Sequence, residues 1–481
     1  MKPVILAWFR QDLRIADNPM LAEAGQSGCS ILPVYIHDPK AAGQWAPGGA
    51  SKWWLHHALQ SLQKELQKTG LPFIIRSGDS LAQLEEIIAD LDDNGHAVEA
   101  VLAGRRYEPA AVEQDTAISD ALAKNDIRFD SFNSSLLIEP ERVQNQSGQP
   151  FQVYTPFWKH LRTLDLQPPV KVESSRLTAP NHVPPGVEID ELSLLPDIGW
   201  DKAFPQVWNP TLAGASESLT TFVEDAVGRY RDQRDLPGVE GTSRLSPYLH
   251  FGQLSPRQVW ALVHAEGKQD GAGGQTFLKE VVWREFAFHL LHHYPDSPEV
   301  ALKEAYRDFP WQPDESLLKA WQQGKTGYPL VDAGMRQLWK TGWMHNRVRM
   351  VAGSFLVKHL LQPWQDGAAW FWDTLVDADL ASNTMGWQWV AGSGADAAPY
   401  FRIFNPILQS QKFDTKGKYI RRFVPELVDL PDEFIHQPWE APDEVLQQAN
   451  VRLGDNYPEP LIEHSRGRER ALEALQANKK R

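Results

Sequence analysis

The chain has 481 residues, room for two or three domains. Hydrophobic residues make up 42% and aromatic residues 10% of it, enough apolar surface to offset the entropy of folding, which excludes a disordered chain. A net charge of −14 excludes a general basic coat for nucleic acid, though not a local basic groove, because phosphate contacts depend on where charges lie. No run approaches the roughly 20 apolar residues that span a bilayer. The N-terminal apolar run Val4 to Phe9 stops at Arg10, Asp12 and Arg14, too short for a secretory signal. A single cysteine, Cys29, excludes an intramolecular disulfide and a Cys-rich metal site. Together these features read as a cytoplasmic protein without a membrane partner.

Along the first 130 residues, short β-rich runs alternate with amphipathic helical patterns. The strands expected are Val4–Phe9, Ile31–Ile36, Pro72–Arg76, Val98–Ala103 and Ile127–Phe129, with helices over Ser51–Lys68, Ser80–Leu91 and Ala110–Ala123. That alternation predicts an α/β domain, a parallel sheet covered by helices on both faces. No G-x-G-x-x-G follows the first strand, so a dinucleotide loop is not supported there. Residues 131–215 are proline-rich and weakly periodic, and read as a long connector draped over a domain. From 216 to 481 helical patterns dominate: Leu219–Arg231, Pro256–His264, Thr276–Tyr294, Leu317–Gln323, Val331–Thr341, Asn346–Leu361 and Ala368–Leu375. This part is expected to be all-α.

Two motifs are decoys. Gly324-Lys325-Thr326 lacks the leading glycine of a phosphate loop, since position 319 is Lys. Gly271-Ala272-Gly273-Gly274 reads as a flexible connection rather than a dinucleotide loop. His289, His292 and His293 share a helix, but no carboxylate completes a ligand set, so no metal is expected. The informative constellations lie in the helical part. Ser246 before Pro247 reads as a helix N-cap, and Thr242, Ser243 and Arg244 beside it make an anion site. Glu280, Trp283 and Arg284 fall at i, i+3 and i+4, one helix face bearing a carboxylate, a flat ring and a guanidinium. Asn346, Arg347 and Arg349 form a third group, and Asp377 and Asp379 ahead of Asn383 and Trp387 a fourth. Lys412, Lys416, Lys418, Arg421 and Arg422 reverse the overall sign and suggest a phosphate-facing rim. Tryptophan is abundant: 14 of 19 lie between Trp200 and Trp439, where a Trp-rich core is the plain explanation.

Nearly end to end, from Trp8-Phe9-Arg10-Gln11-Asp12-Leu13-Arg14 to Asp396-Ala397-Ala398-Pro399-Tyr400-Phe401-Arg402, the chain resembles the photolyase/cryptochrome family. The likeness is nearest to the class I and class III photolyases of cyclobutane pyrimidine dimers. It implies an N-terminal antenna domain (1–130), a linker (131–215) and a helical FAD- and DNA-binding domain (216–481). By the same resemblance Tyr230 and Thr242, Ser243, Arg244, Leu245 and Ser246 cradle the FAD phosphates. Phe277, Arg284, Asn346, Arg349, Asp377, Ala378, Asp379 and Asn383 complete the cofactor site, with Asn383 at flavin N5. Glu280 hydrogen-bonds the dimer, while Trp283, Met350 and Trp389 line the lesion pocket. Arg234, Glu280, Trp283, Arg284, Asn346, Arg347 and Gln409 contact DNA, and Trp387, Trp364 and Trp311, expected on three separate helices, relay electrons from the surface.

The function implied is light-dependent DNA repair, in which photoexcited, reduced FAD donates an electron to a flipped-out dimer and splits it. A (6-4) photolyase is disfavoured because the two positions where its histidines belong are Asn346 and Met350. A cryptochrome photoreceptor is the nearer rival, supported by Ser51-Lys52-Trp53-Trp54-Leu55 and Leu249-His250-Phe251-Gly252. Asn383, the Glu280/Trp283 pair and the absence of a long tail after Arg481 favour repair over it, and over a flavoprotein that only transfers electrons. Phe277 stands where the family often has Trp. The antenna expected is 5,10-methenyltetrahydrofolate, with a deazaflavin as the alternative, because Tyr107-Glu108-Pro109-Ala110-Ala111 lacks the Asn-Glu pair of the best-known folate binders. The partner implied is dimer-containing DNA, bound by a monomer with no obligate protein partner.

Overall fold

Six consecutive apolar residues form β1 (Val4–Phe9), and all six are buried, as a strand covered on both faces requires. Ile5, Ala7 and Phe9 enter one core and Val4, Leu6 and Trp8 the other, the period-two alternation of a strand. A computed structural model describes residues 2–396 and 401–479; Ala397, Ala398, Pro399 and Tyr400 of the family motif lie outside the described residues. β2 (Ser30–His37), β3 (Ile74–Ser77), β4 (Val98–Gly104) and β5 (Arg128–Phe132) complete a sheet ordered β3-β2-β1-β4-β5 with every pair parallel. Growth of the sheet changes direction between β1 and β4, the switch point where α/β sheets open a crevice beyond their strand ends.

The helices of this part are α1 (Pro19–Gln26), α2 (Gly49–Lys68), α3 (Ser80–Asp93) and α4 (Pro109–Ala123). The sequence reading has no element at α1. Its signal is a capping one rather than a periodic one: Asn18 accepts from the Leu21 N–H, and Pro19 opens the helix. The connector carries α5 (Tyr154–Leu161) and runs to α6 (Leu212–Thr221). It is pinned along its length, since the Leu137 N–H donates to Glu285 (2.9 Å), Val170 to Asp17 (2.7 Å) and Val187 to the Ile75 carbonyl (2.9 Å).

The remaining helices are α7 (Tyr230–Gln233), α8 (Ser246–His250), α9 (Pro256–Ala265), α10 (Ala272–His293), α11 (Glu315–Gln322), α12 (Pro329–Thr341) and α13 (Asn346–Ser354). They continue as α14 (Trp364–Thr374), α15 (Leu380–Ala391), α16 (Pro406–Phe413), α17 (Lys418–Phe423), α18 (Asp443–Gln448) and α19 (His464–Lys479). Three expectations are corrected. The glycines at 273 and 274 are not a flexible connection but the first turn of α10: a Cβ at either would lie 2.0 Å from a carbonyl oxygen, of Val227 or Lys268. The helix expected over Leu219–Arg231 breaks into α6, a π turn (Phe222–Ala226) and a 3₁₀ turn (Val227–Arg229). The one expected over Asn346–Leu361 leaves α-geometry at Ser354 for a π turn (Phe355–His359). Among the described residues no helix is long and apolar enough to cross a membrane.

The two parts and the connector meet at Asp17, 3% exposed. Its carboxylate accepts from Arg257 Nε (3.1 and 3.2 Å), the Ser255 hydroxyl and the Val170 N–H, and Arg14 stands 3.9 Å away. Arg14 in turn donates to the carbonyls of Asp17 (2.7 Å), Ser134 (2.8 Å) and Gly252 (2.9 Å). Removing the anion would leave two guanidinium groups buried beside each other, a loss on the order of 3–5 kcal/mol. Asp17→Ala is therefore expected to lower the unfolding free energy measured by urea titration by that amount, whereas Asp79→Ala, which removes only the exposed cap of α3, lowers it by about 1 kcal/mol.

Candidate active site

Ser246 does not cap its helix. Leu245 occupies the N-cap position, and the Ser246 hydroxyl, at the first helical position, donates to Asp377 at 2.6 Å. Asp377 also accepts from Arg349 through both carboxylate oxygens (3.0 and 2.9 Å), and Arg349 Nε is held by the Met344 carbonyl at 2.7 Å. Two residues on, Asp379 caps α15 by accepting the Ser382 N–H at 2.8 Å. Burial works to raise the Asp379 pKa, but His250, Arg284 and that N–H together outweigh it and bring it to about 2. A fixed anion thus sits behind Ala378 at the start of α15. Arg244 holds a left-handed backbone (φ 51°), which a non-glycine residue adopts only when its surroundings impose it. Its guanidinium lies over the Trp343 ring at 5.1 Å, with Thr242 and Ser243 half-buried beside it. Tyr230 packs edge-on to Phe277 at 5.5 Å, and burial pushes its phenol pKa up.

A second cluster opens next to the first along α10. Glu280, Trp283 and Arg284 do not act together as one helix face; their side chains go to three partners. Glu280 pairs with Arg234, Trp283 lies flat on Tyr154 with centroids 3.6 Å apart and planes at 7°, and Arg284 turns to the Ser135 carbonyl at 2.5 Å and over Phe288 at 4.8 Å. Burial raises the Glu280 pKa by more than Arg234 lowers it. Asn346 and Met350 lie one turn apart on α13, exposed and half-buried. Arg347, between them, pairs with Asp235 at 3.0 Å and lies over Phe413 at 4.5 Å. Trp389, on α15, packs near Phe404 at 6.3 Å, and Gln409 follows on α16. Of the basic run, Arg421 is tied internally to Val428, Leu430 and Asp432, and Arg422 pairs with Glu240. Tyr154 is absent from the sequence reading because the connector around it shows no periodicity that would single it out.

Asn383 donates to the Ala368 carbonyl at 3.1 Å, fastening α15 to α14. One turn further, Trp387 is buried against Phe371 (5.0 Å) and Trp321 (6.1 Å). Trp364 opens α14 in the same core, and Gly367 lets the two helices touch: a Cβ there would lie 2.1 Å from Trp387 Cη2. Trp311 is not helical, against the expectation of three helices. It lies on the connection before α11, half-exposed, with its ring 4.4 Å from Phe309.

A cavity of about 680 Å³ opens beyond the C-terminal ends of the strands, lined by Trp8, Arg10, Tyr35, Arg106 and Glu108 from the sheet side and by His250, Trp372 and Leu380 from the helices. Trp53 and Trp54 do not line it; both are buried, Trp53 edge-on to Phe204 and Trp54 on Trp208 and Phe251. Among the described residues no group of three or more His, Cys, Asp or Glu side chains could hold a metal ion.

Residues 5–174 match the family described as DNA photolyase, and residues 277–477 match the FAD binding domain of DNA photolyase. A deoxyribodipyrimidine photo-lyase of Agrobacterium fabrum is 46% identical over 99% of this chain and 98% of its own. Cryptochrome-1 of Arabidopsis thaliana is 38% identical over 98% of this chain and 70% of its own. The crystal structure of a bacterial class III photolyase from Agrobacterium tumefaciens superposes with a TM-score of 0.95 at 45% identity, covering 100% of this chain and 98% of that one. With both of its parts matched and near-complete coverage of these relatives, the chain belongs to the DNA photolyase family.

Proposed function

We propose that the protein is a deoxyribodipyrimidine photo-lyase, a flavoenzyme that repairs cyclobutane pyrimidine dimers in DNA under blue light. The observation that carries this reading is an ionic cradle at Ser246, Asp377, Arg349 and Asp379, reached by Arg284 of α10, the helix that also bears Glu280 and the flat Trp283–Tyr154 stack. The residues present fit FAD. Buried polar atoms of Arg244 (Nε) and His345 (Nε2) have no hydrogen-bond partner among the described residues, and buried polar atoms ordinarily find one. Thr242, Ser243, Arg244, Leu245 and Ser246 would hold the phosphates with Tyr230; Phe277, Arg284, Asn346, Arg349, Asp377, Ala378, Asp379 and Asn383 would hold the rest.

When bound and reduced, FAD supplies an electron to the dimer on photoexcitation, the two inter-base bonds cleave, and the electron returns. The chain's own residues do the rest. Glu280, whose pKa burial raises, would in its neutral form donate a hydrogen bond to a carbonyl of the flipped pyrimidines and stabilise negative charge there. Trp283 and Trp389 stack on the bases, worth about 1–3 kcal/mol per base, and Met350 fills the remaining gap. Arg234, Asn346, Arg347 and Gln409 engage the strand around the lesion; Arg347 Nε and Gln409 Oε1 are buried atoms without partners among the described residues. Asn383 orients the ring system at the mouth of α15. Trp311, Trp364 and Trp387 conduct electrons from the surface inward. The cavity at the strand ends is the place for an antenna chromophore, with folate the first candidate and a deazaflavin the second, and the protein works as a soluble cytoplasmic monomer.

Illuminating the reduced holoprotein with a dimer-containing oligothymidine is expected to restore thymine absorbance only in the light; no recovery with reduced flavin bound would refute the assignment. Glu280→Ala is expected to cut the yield per absorbed photon on the order of 10-fold. Only the neutral carboxyl can donate, and burial raises the Glu280 pKa, so yield should fall as pH rises, and Glu280→Gln, a donor at every pH, should flatten the profile. Trp387→Phe should block photoreduction of the oxidised holoprotein while leaving repair by chemically reduced protein intact.

A further inference from the structure

Tyr154 belongs to the connector, yet it makes the flattest ring contact of the cleft. Its ring lies parallel to the Trp283 indole at 3.6 Å and 7°, and its hydroxyl donates to the Lys279 carbonyl at 2.6 Å. Lys279 and Trp283 are one turn apart on α10, so the phenol spans that turn and is fastened at both ends. Phe286 meets the same indole edge-on at 5.8 Å and 72°, which closes a second direction of movement. Trp283 is thereby held in one plane, one face covered by a residue only 6% exposed, while the indole itself stays only partly buried.

Tyr154 is itself anchored from the far side. The Asp396 N–H donates to the carbonyl of Gln152, two residues before Tyr154, at 3.1 Å. Asp396 follows α15, the helix that carries Trp389, and takes a left-handed backbone (φ 49°) that a non-glycine residue adopts at a cost. One latch therefore refers both aromatic walls to the same point: Trp283 through the stack, Trp389 through the segment ending at Asp396.

We propose that Tyr154 is a positioning residue for lesion binding, fixing the plane of Trp283 so that the flipped dimer meets an indole already oriented to stack on it. This rests on the reading that Trp283 and Trp389 line the lesion pocket. Its effect falls on affinity, because an indole free to turn must be ordered when the dimer binds. Tyr154 takes no part in the photochemical step, since its ring is spent on Trp283 and its hydroxyl on the Lys279 carbonyl.

The test uses FAD-loaded protein and an oligothymidine carrying one dimer, measuring dissociation constants in the dark and yield per absorbed photon at saturating DNA. Tyr154→Leu is expected to weaken binding about 3- to 10-fold with unchanged yield at saturation, and Tyr154→Phe, which keeps the stack, to restore the affinity. Unchanged affinity in Tyr154→Leu overturns the proposal, as does a Tyr154→Phe variant that binds as weakly as Tyr154→Leu. If Tyr154→Leu fails to retain flavin, Asp396→Ala decides instead: weaker dimer binding at unchanged yield supports the latch, and unaltered affinity overturns it. An unaltered protein that shows no preference for dimer-containing DNA refutes the lesion-pocket reading itself, a result distinct from equal preference in every variant.

Discussion

A single buried carboxylate, Asp17, organises the molecule. It follows β1 in the sheet part, takes charge from Arg257 and Arg14, and accepts a backbone N–H from Val170 of the connector. Charges buried this deeply are tolerated only when each finds its counterpart, so the geometry of three chain segments is tied to one point. The site depends on this, because His250, which flanks Asp379, lies just ahead of Gly252, whose carbonyl Arg14 holds. The dense charge after the first strand, where a dinucleotide fold would have glycines, thus has a structural use: it fastens the sheet to the helices rather than gripping a phosphate.

The active-site half solves a different electrostatic problem. An acidic protein must hold an anionic cofactor and approach an anionic polymer, and it does so by neutralising acids locally. Asp377 is spent on Arg349 and Ser246, and Asp379 on His250, Arg284 and the α15 N-terminus. Arg234 and Arg347 are paired with Glu280 and Asp235, half-exposed acids, so both cations are held in ordered positions with their charge partly masked.

Much of this was legible in the sequence where side-chain period and burial agree. Val4–Phe9 is apolar throughout because both faces are covered, and its strand limits match the reading residue for residue. The five-strand parallel sheet, the helical remainder and the family likewise followed from pattern and motif. What failed did so for local reasons. α1 is set by a cap and a proline rather than by periodicity; the glycines of α10 look flexible in isolation but are dictated by two carbonyls from other turns. Ser246 satisfies every rule for an N-cap, yet Leu245 takes that position and Ser246 opens the helix itself, its hydroxyl donating to a carboxylate 131 residues away. Trp311 needed no helix to reach its place. The stacking partner of Trp283 was out of reach because nothing in a proline-rich segment signals which of its aromatic residues will meet a helix.

That segment has a consequence for how the family's architecture can drift. Connectors between domains usually absorb insertions and deletions freely, since only loop-closure entropy resists them. Here Leu137, Tyr154, Val170 and Val187 are registered against fixed points on both halves. Length changes can accumulate only in the intervals between these anchors, such as the exposed turn around Asn145–Gln149. An added residue within the anchored stretches would break one of these contacts, so the connector is held in register with both halves rather than serving as a tether.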